Sequence, residues 1–237
     1  MKYAPYSFTK IKTFQHCPKQ FEWKYVNKIE LDDDYTDPLF FQRGRFVHQY
    51  IAKRLAGGTG EINGFMDIAV DDKLSLIENA DESLNNEYIS MTFDFDVTEI
   101  EKSMRLDYDL IATTEKGYAL NGYIDYFAVH NNFAMIVDWK SGKYREDPRY
   151  DQLELYAIWL FQNYPEVEEI DLVFFYVEYN KFNMKTVTLD DIIEFRKKLR
   201  ENILEIERTN DFEAKPSREC VHCPFVNTCS LEHDIMF

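Results

Sequence analysis

Cysteine is scarce in this chain, with four residues among 237. A disulfide framework is not expected at this length, and we expect no signal peptide. No run of about 18 apolar residues occurs, so we also expect no membrane-spanning helix. Internal repeats and low-complexity tracts are lacking as well. These absences argue against a disulfide-rich secreted domain, a membrane protein and a repeat array, and they favour a cytoplasmic protein.

Positive charge is also sparse. The chain has 27 Lys and Arg against 43 Asp and Glu, a net charge of −16. Such a balance argues against binding a polyanion over the whole surface. The acidic residues are unevenly spread, however, because residues 61–109 hold 14 of them against three basic residues, whereas residues 1–30 carry a net charge of +4. Binding of nucleic acid would therefore have to be local.

The chain does contain many apolar residues, in alternating helical and strand patterns. Hydrophobic residues make up 45% and aromatic residues 16%, enough for one elaborated domain or a small pair. The patterns predict helices near 7–15, 18–26, 44–56, 71–89, 96–104, 148–163 and 190–208, and strands near 106–113, 117–129, 133–140, 169–179 and 182–188. This succession predicts an α/β fold with a mixed central sheet flanked by helices.

Residues 122–140 predict a β-hairpin that carries two aspartates. Its turn would be Asn131-Asn132, because adjacent asparagines suit the positive φ angles of a type I′ turn. In that register Asp125 and Asp138 pair directly on one face, with Cβ atoms about 4.5–5.5 Å apart. Strand alternation places Lys140 on the same face. The hairpin thus predicts two carboxylates and an ammonium close together.

This trio has two interpretations. Facing carboxylates repel unless a cation lies between them, and hard divalent cations prefer oxygen ligands. The alternative is a pair that faces water, with a lysine counter-charge of little consequence. Both strands are apolar on both faces, as in a sheet interior, and buried charges need partners. The surroundings therefore favour a metal site.

Further polar residues lie on the predicted helices. His48 is surrounded by apolar positions in its helix, and a lone helical histidine is more often structural than a ligand. Gln152 and Tyr156 are four residues apart and share one helix face. Tyr156 also fits an ordinary core position. None of these residues is decisive alone, so their order along the chain carries the argument.

In that order, the residues resemble the motifs of the PD-(D/E)XK nuclease superfamily, in its RecB-like branch. The series is Gly44-x3-His48, Gly122-Tyr-Ile-Asp125, Asp138-Trp-Lys140 and Gln152-x3-Tyr156. The resemblance runs from about residue 5 to residue 229. Ile124 stands where the family has proline, and Asp138 is the variable acid; both departures are common in this branch.

The resemblance implies a metal-dependent DNA nuclease with a restriction-endonuclease-like core. The implied catalytic residues are Asp125, Asp138, Lys140, Gln152 and Tyr156. His48, Asp125, Asp138 and the Trp139 carbonyl would hold Mg²⁺ or Mn²⁺. The resemblance further implies an exonuclease that prefers single-stranded DNA or free ends, in phage or CRISPR-type processing or recombination. No helicase motif is present, so a helicase, recombinase or integrase would be a partner.

The four cysteines form a pattern of their own, with Cys17 near the start and Cys220-x2-Cys223-x5-Cys229 near the end. Tight thiolate spacing favours zinc or iron–sulfur ligation, and spacing alone leaves both open. One distant cysteine followed by three resembles the [4Fe–4S] staple of AddB-type and CRISPR adaptation nucleases. That resemblance implies a cluster that ties the two ends of the chain together, with Zn²⁺ as the alternative.

Basic residues follow the hairpin directly. Lys143, Arg145 and Arg149, together with Lys140, predict a basic track for DNA beside the site, although ordinary surface residues would look the same. We divide the chain into N-terminal helices with the first cysteine and His48 (1–60), an acidic helical insertion (61–105), the nuclease core (106–208) and a cysteine-bearing segment (209–237).

Two other function classes fit parts of the sequence. A non-catalytic DNA-binding adaptor could keep the fold without turnover. An iron–sulfur redox or sensor protein would place its function at the cysteines, and it would not need His48, Asp125 and Lys140 together.

Overall fold

The computed structural model describes residues 1–30, 39–59 and 62–229. The helices are α1 (Phe8–His16), α2 (Pro18–Phe21), α3 (Leu39–Leu55), α4 (Val70–Leu84), α5 (Glu87–Ser90), α6 (Asp151–Asn163) and α7 (Leu189–Arg208). The strands are β1 (Val97–Leu106), β2 (Leu120–His130), β3 (Phe133–Lys140), β4 (Glu169–Tyr176) and β5 (Lys181–Thr188). Among the described residues, no helix combines the length and apolar character that a membrane crossing requires.

The five strands form one mixed sheet in the order β1-β2-β3-β4-β5. Strands β3 and β4 are parallel, and the other three neighbouring pairs are antiparallel. Helix α6 connects β3 to β4, since parallel neighbours need a long crossover. The predicted α/β class with a mixed sheet is confirmed.

Both faces of the sheet are covered. On one face, β3 residues such as Ile136 pack with α6 and α7, through side chains that include Leu160 and Leu199. On the other face, Val137 and Trp139 pack with α3 and α4. Because successive strand residues point to opposite faces, Asp138 and Lys140 belong to the face that α6 covers. The site is thereby placed where β3 ends between two helical layers.

The predicted hairpin register is confirmed close to its turn, where His130 pairs with Phe133 and Val129 with Ala134. The predicted type I′ turn is wrong in detail. Asn131 has a φ of 52°, but Asn132 is not among the residues with positive φ. The Asn132 carbonyl accepts a hydrogen bond from the Glu168 N–H at 2.7 Å, so a neighbouring loop helps to set its conformation.

One stretch of the predicted secondary structure is wrong. The helix expected near 96–104 is strand β1, and the strand expected near 106–113 lies largely in the loop that follows it. Strand β1 lies at the edge of the sheet and is half exposed. It therefore has few buried apolar residues, and the two-residue alternation typical of a strand is not visible in its sequence. The division of the chain into four segments remains a prediction, and residues 31–38, 60–61 and 230–237 of those segments lie outside the described residues.

The N-terminal helices are joined to the C-terminal region by aromatic contacts. The ring of Phe212 contacts those of Tyr3, Phe14 and Phe21, with centroid distances of 6.1, 6.3 and 5.9 Å. All four side chains are buried. Hydrophobic packing therefore holds the two ends of the fold together near the start of the cysteine-bearing segment.

Candidate active site

The two aspartates lie where β2 and β3 stop pairing. The last bridged pair of the hairpin is Tyr126 with Val137, and the ladder does not continue to Asp125 and Asp138 as the sequence predicts. Instead, Asp125 Oδ2 accepts a hydrogen bond from the backbone N–H of Trp139 at 3.0 Å. The side chain of Asp125 thus replaces a backbone partner as the strands separate, and this opens the sheet at the site.

Asp138 and Lys140 form an ion pair, on the same face as strand alternation predicts. Lys140 Nζ lies 2.6 Å from Asp138 Oδ2, so this buried oxygen is paired with the ammonium. Asp138 is only 3% exposed. Burial raises the pKa of its carboxyl, and the charge of Lys140 only partly offsets this effect. A buried carboxylate needs a cationic partner, and Lys140 supplies one.

Helix α3 brings His48 to the other aspartate. His48 Nδ1 lies 3.2 Å from Asp125 Oδ2. Burial by itself lowers the pKa of His48, but the carboxylates of Asp125 and Asp138 outweigh it and raise that pKa to about 9. Gly44, one turn earlier in α3, lets this helix lie close to the end of β3, because a Cβ added at Gly44 would lie 3.1 Å from Ser141 Oγ.

Sequence reasoning missed Glu101 as a member of this site. Glu101 lies in β1 at the position that faces Asp125, in a left-handed conformation with a φ of 49°. Burial raises the pKa of its carboxyl, and the nearby charge of Asp125 raises it further. Val97, Ile100 and Met104 recur at helical spacing, so this segment predicts a helix and carries no local sign of the strand.

Three of these side chains converge on one point. His48, Glu101 and Asp125 each offer a ligand atom, and these atoms lie within 4.8 Å of one another. Asp138 is not a member of that group, although its charge acts on His48. An imidazole and two carboxylates beside the buried Asp138 carboxylate form a donor set that suits a hard divalent cation. Ligation by the Trp139 carbonyl stays a prediction.

Gln152 and Tyr156 of α6 border the same site. Lys140 Nζ donates to Gln152 Oε1 at 3.5 Å, and Gln152 Nε2 donates to the Tyr156 hydroxyl at 3.1 Å. Burial raises the pKa of Tyr156, and the charge of Asp138 adds to that effect. Gly122 leaves room for the ring, since an added Cβ would lie 2.8 Å from its Cε1 atom. All five residues expected to be catalytic thus lie around one point.

The site opens into a wide cleft of about 1100 Å³. Its cationic lining residues include Arg43, Arg45, Lys140 and Lys143. Of the predicted basic track, only Lys143 shares the lining with Lys140, because Arg145 and Arg149 lie outside it. Arg149 is paired with Asp151 at 2.9 Å.

All four cysteines are described, and they line a second, separate pocket. The backbone N–H of Ser217 donates to Cys220 Sγ at 3.3 Å, and that of Lys215 donates to Cys17 Sγ at 3.5 Å. Burial raises the pKa of the Cys223 thiol, and the other three cysteines raise it further.

The fold of this chain resembles that of a solved structure. No curated protein matches the chain. Among solved structures, a protein from Eubacterium rectale, provisionally named as an exonuclease, is similar with a TM-score of 0.59 and 14% identity, covering 98% of this chain and 88% of its own. The structure of SSO0001 covers 94% of this chain and 95% of its own, at 17% identity, and its TM-score of 0.37 is too low to support a shared fold.

A family model identifies the family of this chain, which a likeness of fold alone does not. The model of the PD-(D/E)XK nuclease superfamily matches residues 5–230, a range that includes the sheet, the candidate site and all four cysteines. The chain belongs to the PD-(D/E)XK nuclease superfamily.

Proposed function

We propose that this protein is a metal-dependent DNA nuclease, an exonuclease that prefers single-stranded DNA. The observation that carries the proposal is the convergence of His48, Glu101 and Asp125 beside the Asp138–Lys140 ion pair. The carboxylates of Glu101, Asp125 and Asp138 lie close enough to repel one another, and Lys140 and His48 offset this repulsion only in part. Their retention in one cleft favours a catalytic role over a structural one.

The residues of the site fit Mg²⁺ or Mn²⁺. His48, Glu101 and Asp125 would hold the ion, and the Asp138 carboxylate offers one more anionic donor beside them. The bound cation supplies positive charge that polarises a phosphate and acidifies a water. His48 has a pKa of about 9 without metal, so its imidazole must release a proton before it can ligate.

Lys140 is the residue best suited to act on the reacting phosphate. Its ammonium is held by Asp138 on one side and by Gln152 on the other, which leaves a third donor for a substrate oxygen. Fixed donors of this kind stabilise negative charge that develops during phosphodiester hydrolysis. Lys140 would orient the attacking water or stabilise that charge.

Gln152 and Tyr156 would contact the nucleotide at the scissile phosphate. Their side chains are joined by a hydrogen bond, and Gln152 is also joined to Lys140. Such a chain of hydrogen bonds restricts the side-chain positions before substrate arrives, which is favourable for catalysis. Hydrolysis with the chemistry of the superfamily would leave 5′-phosphate and 3′-hydroxyl ends.

For the second pocket, we favour a [4Fe–4S] cluster. Four cysteines around one pocket and N–H donors directed at two of the sulfurs suit a cluster of this kind. One distant cysteine followed by three, the pattern that resembles the nuclease cluster, favours iron–sulfur, and Zn²⁺ is the alternative. The bound cluster would tie Cys17 to the C-terminal segment.

The biological setting is part of the proposal. Phage recombination or CRISPR-type DNA processing would use a small nuclease that acts on exposed strands. A helicase, recombinase or integrase would then supply the single strand or receive the product.

Cleavage of end-labelled DNA tests the function directly. Single- and double-stranded substrates are incubated with Mg²⁺, Mn²⁺ or EDTA, using the unmodified protein, Asp138→Asn and Lys140→Ala. Each substitution should lower the rate by about 100-fold or more while the fold is kept. Asp96→Asn is the matched control, since Asp96 pairs with His130 at the far end of the hairpin.

Three outcomes would contradict the proposal. Full activity in both variants would refute the assignment of the site, and activity in EDTA would refute the need for a metal. DNA binding without cleavage under any of these conditions would favour the non-catalytic adaptor. Product lengths over time distinguish removal of nucleotides from an end from internal cleavage.

A further inference from the structure

Two phenylalanine side chains lie side by side, exposed to solvent, at the start of α3. Phe40 is 53% exposed and Phe41 is 51% exposed. Their ring centroids are 4.2 Å apart. Adjacent large apolar side chains on a surface indicate a binding site when they are placed together in a cleft. We call this pair the aromatic platform.

The aromatic platform belongs to the same cleft as the candidate active site. Both rings line the cleft that contains Asp125, Asp138 and Lys140. Phe41 and His48 are seven residues apart, so they lie on one face of α3, two turns and about 10.5 Å apart along the helix axis. Stacked nucleotides advance by about 3.4 Å each. The distance corresponds to about three nucleotides.

The charges near the platform suit a nucleic acid strand. Arg43 follows Phe41 by two residues and Arg45 follows it by four, and both line the cleft together with Lys143. Arg43 also forms an ion pair with Glu178 at 3.4 Å. Aromatic faces combined with cations along a groove are how proteins bind single strands, because bases stack on the rings while phosphates contact the cations.

We infer that the aromatic platform stacks unpaired bases of a DNA strand whose scissile phosphate lies at the candidate metal site. In a duplex the faces of the bases are covered by their neighbours, so only a single strand or a frayed end can use the platform. It would therefore determine the preference for unpaired DNA. The inference rests on the proposed nuclease function, because it takes that site as the place of cleavage.

The test measures binding in EDTA, where no cleavage is expected. Oligonucleotides carry the fluorescent base 2-aminopurine at successive positions from one end, and its quenching reports stacking. Matched oligonucleotides with abasic residues keep the phosphates and lack the base faces. Phe41→Leu is the main variant, because leucine is apolar but has no aromatic face. Phe40 also contacts the His222 ring, at 6.4 Å, so Phe40→Leu is tested second.

The unmodified protein should quench 2-aminopurine most strongly at one position, about three nucleotides from the cleavage point. Phe41→Leu should lower the affinity for the single strand about 10-fold and abolish that quenching. Binding of the abasic strand should not change. Phe41→Tyr keeps the aromatic face and should restore the affinity. Phe93→Leu, at an exposed phenylalanine outside the cleft, is the matched control and should have no effect.

Several results would overturn the inference. These are an equal loss of affinity for the abasic strand, unchanged quenching in Phe41→Leu, or no binding of any strand by the unmodified protein. Failure of the proposed function gives a different result. Stacking without cleavage in Mg²⁺ or Mn²⁺ would refute the nuclease proposal but support the stacking role of the aromatic platform. Cleavage without stacking would support the nuclease proposal but refute the stacking role.

Discussion

Glu101 and Asp125 face each other across β1 and β2, at a step where no bridge joins the strands. The pairs on either side, Ile100 with Tyr126 and Lys102 with Ile124, are bridged. The left-handed conformation of Glu101 accompanies this break, and its carboxyl approaches both Asp125 and His48. A local interruption of the sheet thereby places an additional acid at the candidate metal site.

Substitution of Glu101 should weaken metal binding. Glu101→Gln removes one anionic donor but keeps the side-chain size, so the affinity for Mn²⁺ should fall about 10-fold or more. Isothermal titration in the absence of DNA measures this without reference to activity. The control is Glu99→Gln in the same strand, because Glu99 pairs with Lys102 at 3.0 Å. Equal Mn²⁺ affinities in the unmodified protein and both variants would mean that Glu101 does not bind the metal ion.

An alanine at Gly122 should displace Tyr156. Its Cβ would lie 2.8 Å from Tyr156 Cε1 and 3.0 Å from Met104 Cε, so the ring or the strand must shift. We expect a loss of stability of about 1–3 kcal/mol and slower cleavage, because Tyr156 is hydrogen-bonded to Gln152. Urea unfolding and the cleavage assay measure both. A Cβ added at Gly117 meets nothing within 4 Å, so Gly117→Ala is the control and should change neither the stability nor the cleavage rate. Full activity in Gly122→Ala would mean that Tyr156 has no part in cleavage.

Lys143 and Arg149 should differ in their effect on DNA binding. Lys143 lines the cleft, so Lys143→Gln should reduce the slope of log affinity against log salt by about 0.7 for a single strand. Arg149 lies outside the cleft and pairs with Asp151, so Arg149→Gln should change the slope much less. Binding titrations between low and moderate salt measure both slopes. Equal effects of the two substitutions would contradict this location of the DNA track.

Protein purified without oxygen should be brown and contain iron and sulfide. Cys17→Ala should lose the colour and part of the thermal stability, because the cluster would join the two ends of the chain. Complete unfolding is not expected, since Phe212 still packs with Phe14 and Phe21. Metal analysis and thermal unfolding measure these outcomes. A colourless protein with one equivalent of zinc would contradict the cluster.

Glu207 should make stability depend on pH. Burial would raise the pKa of Glu207, but hydrogen bonds from the Tyr6 hydroxyl and from the N–H groups of Lys2 and Tyr3 outweigh it and lower the pKa below its ordinary value of 4.5. Between the lowered pKa of the folded protein and pH 4.5, the unfolded chain binds more protons at Glu207 than the folded protein does. The stabilisation is therefore complete above pH 4.5 and is lost as the pH falls through the lowered pKa.

The Glu207→Gln variant measures this contribution. Its free energy of unfolding at pH 7 should be lower by about 1–2 kcal/mol, and the difference from the unmodified protein should shrink on acidification. Urea unfolding at a series of pH values gives both quantities. Glu205→Gln, on an exposed position of the same helix, serves as the control. A difference that stays constant with pH would show that the Glu207 charge is not responsible.

Much of the fold follows from local patterns in the sequence. The hairpin register near Asn131, the common face of Asp138 and Lys140, and the common face of Gln152 and Tyr156 depend only on strand and helix periods. Short-range geometry of this kind is the same wherever the segment lies in the fold. Helices and strands after residue 115 could therefore be predicted closely.

The remainder was decided by tertiary structure. Strand β1 has too few buried residues to reveal its period, and its partner β2 is what makes it a strand. The meeting of Glu101 with His48 depends on contacts between segments more than fifty residues apart. By itself, the sequence determined which chemical groups this nuclease carries and in what order. Only the packing of α3, β1 and β2 decided which of them converge, because ligand atoms are brought together by contacts between elements and not by spacing along the chain.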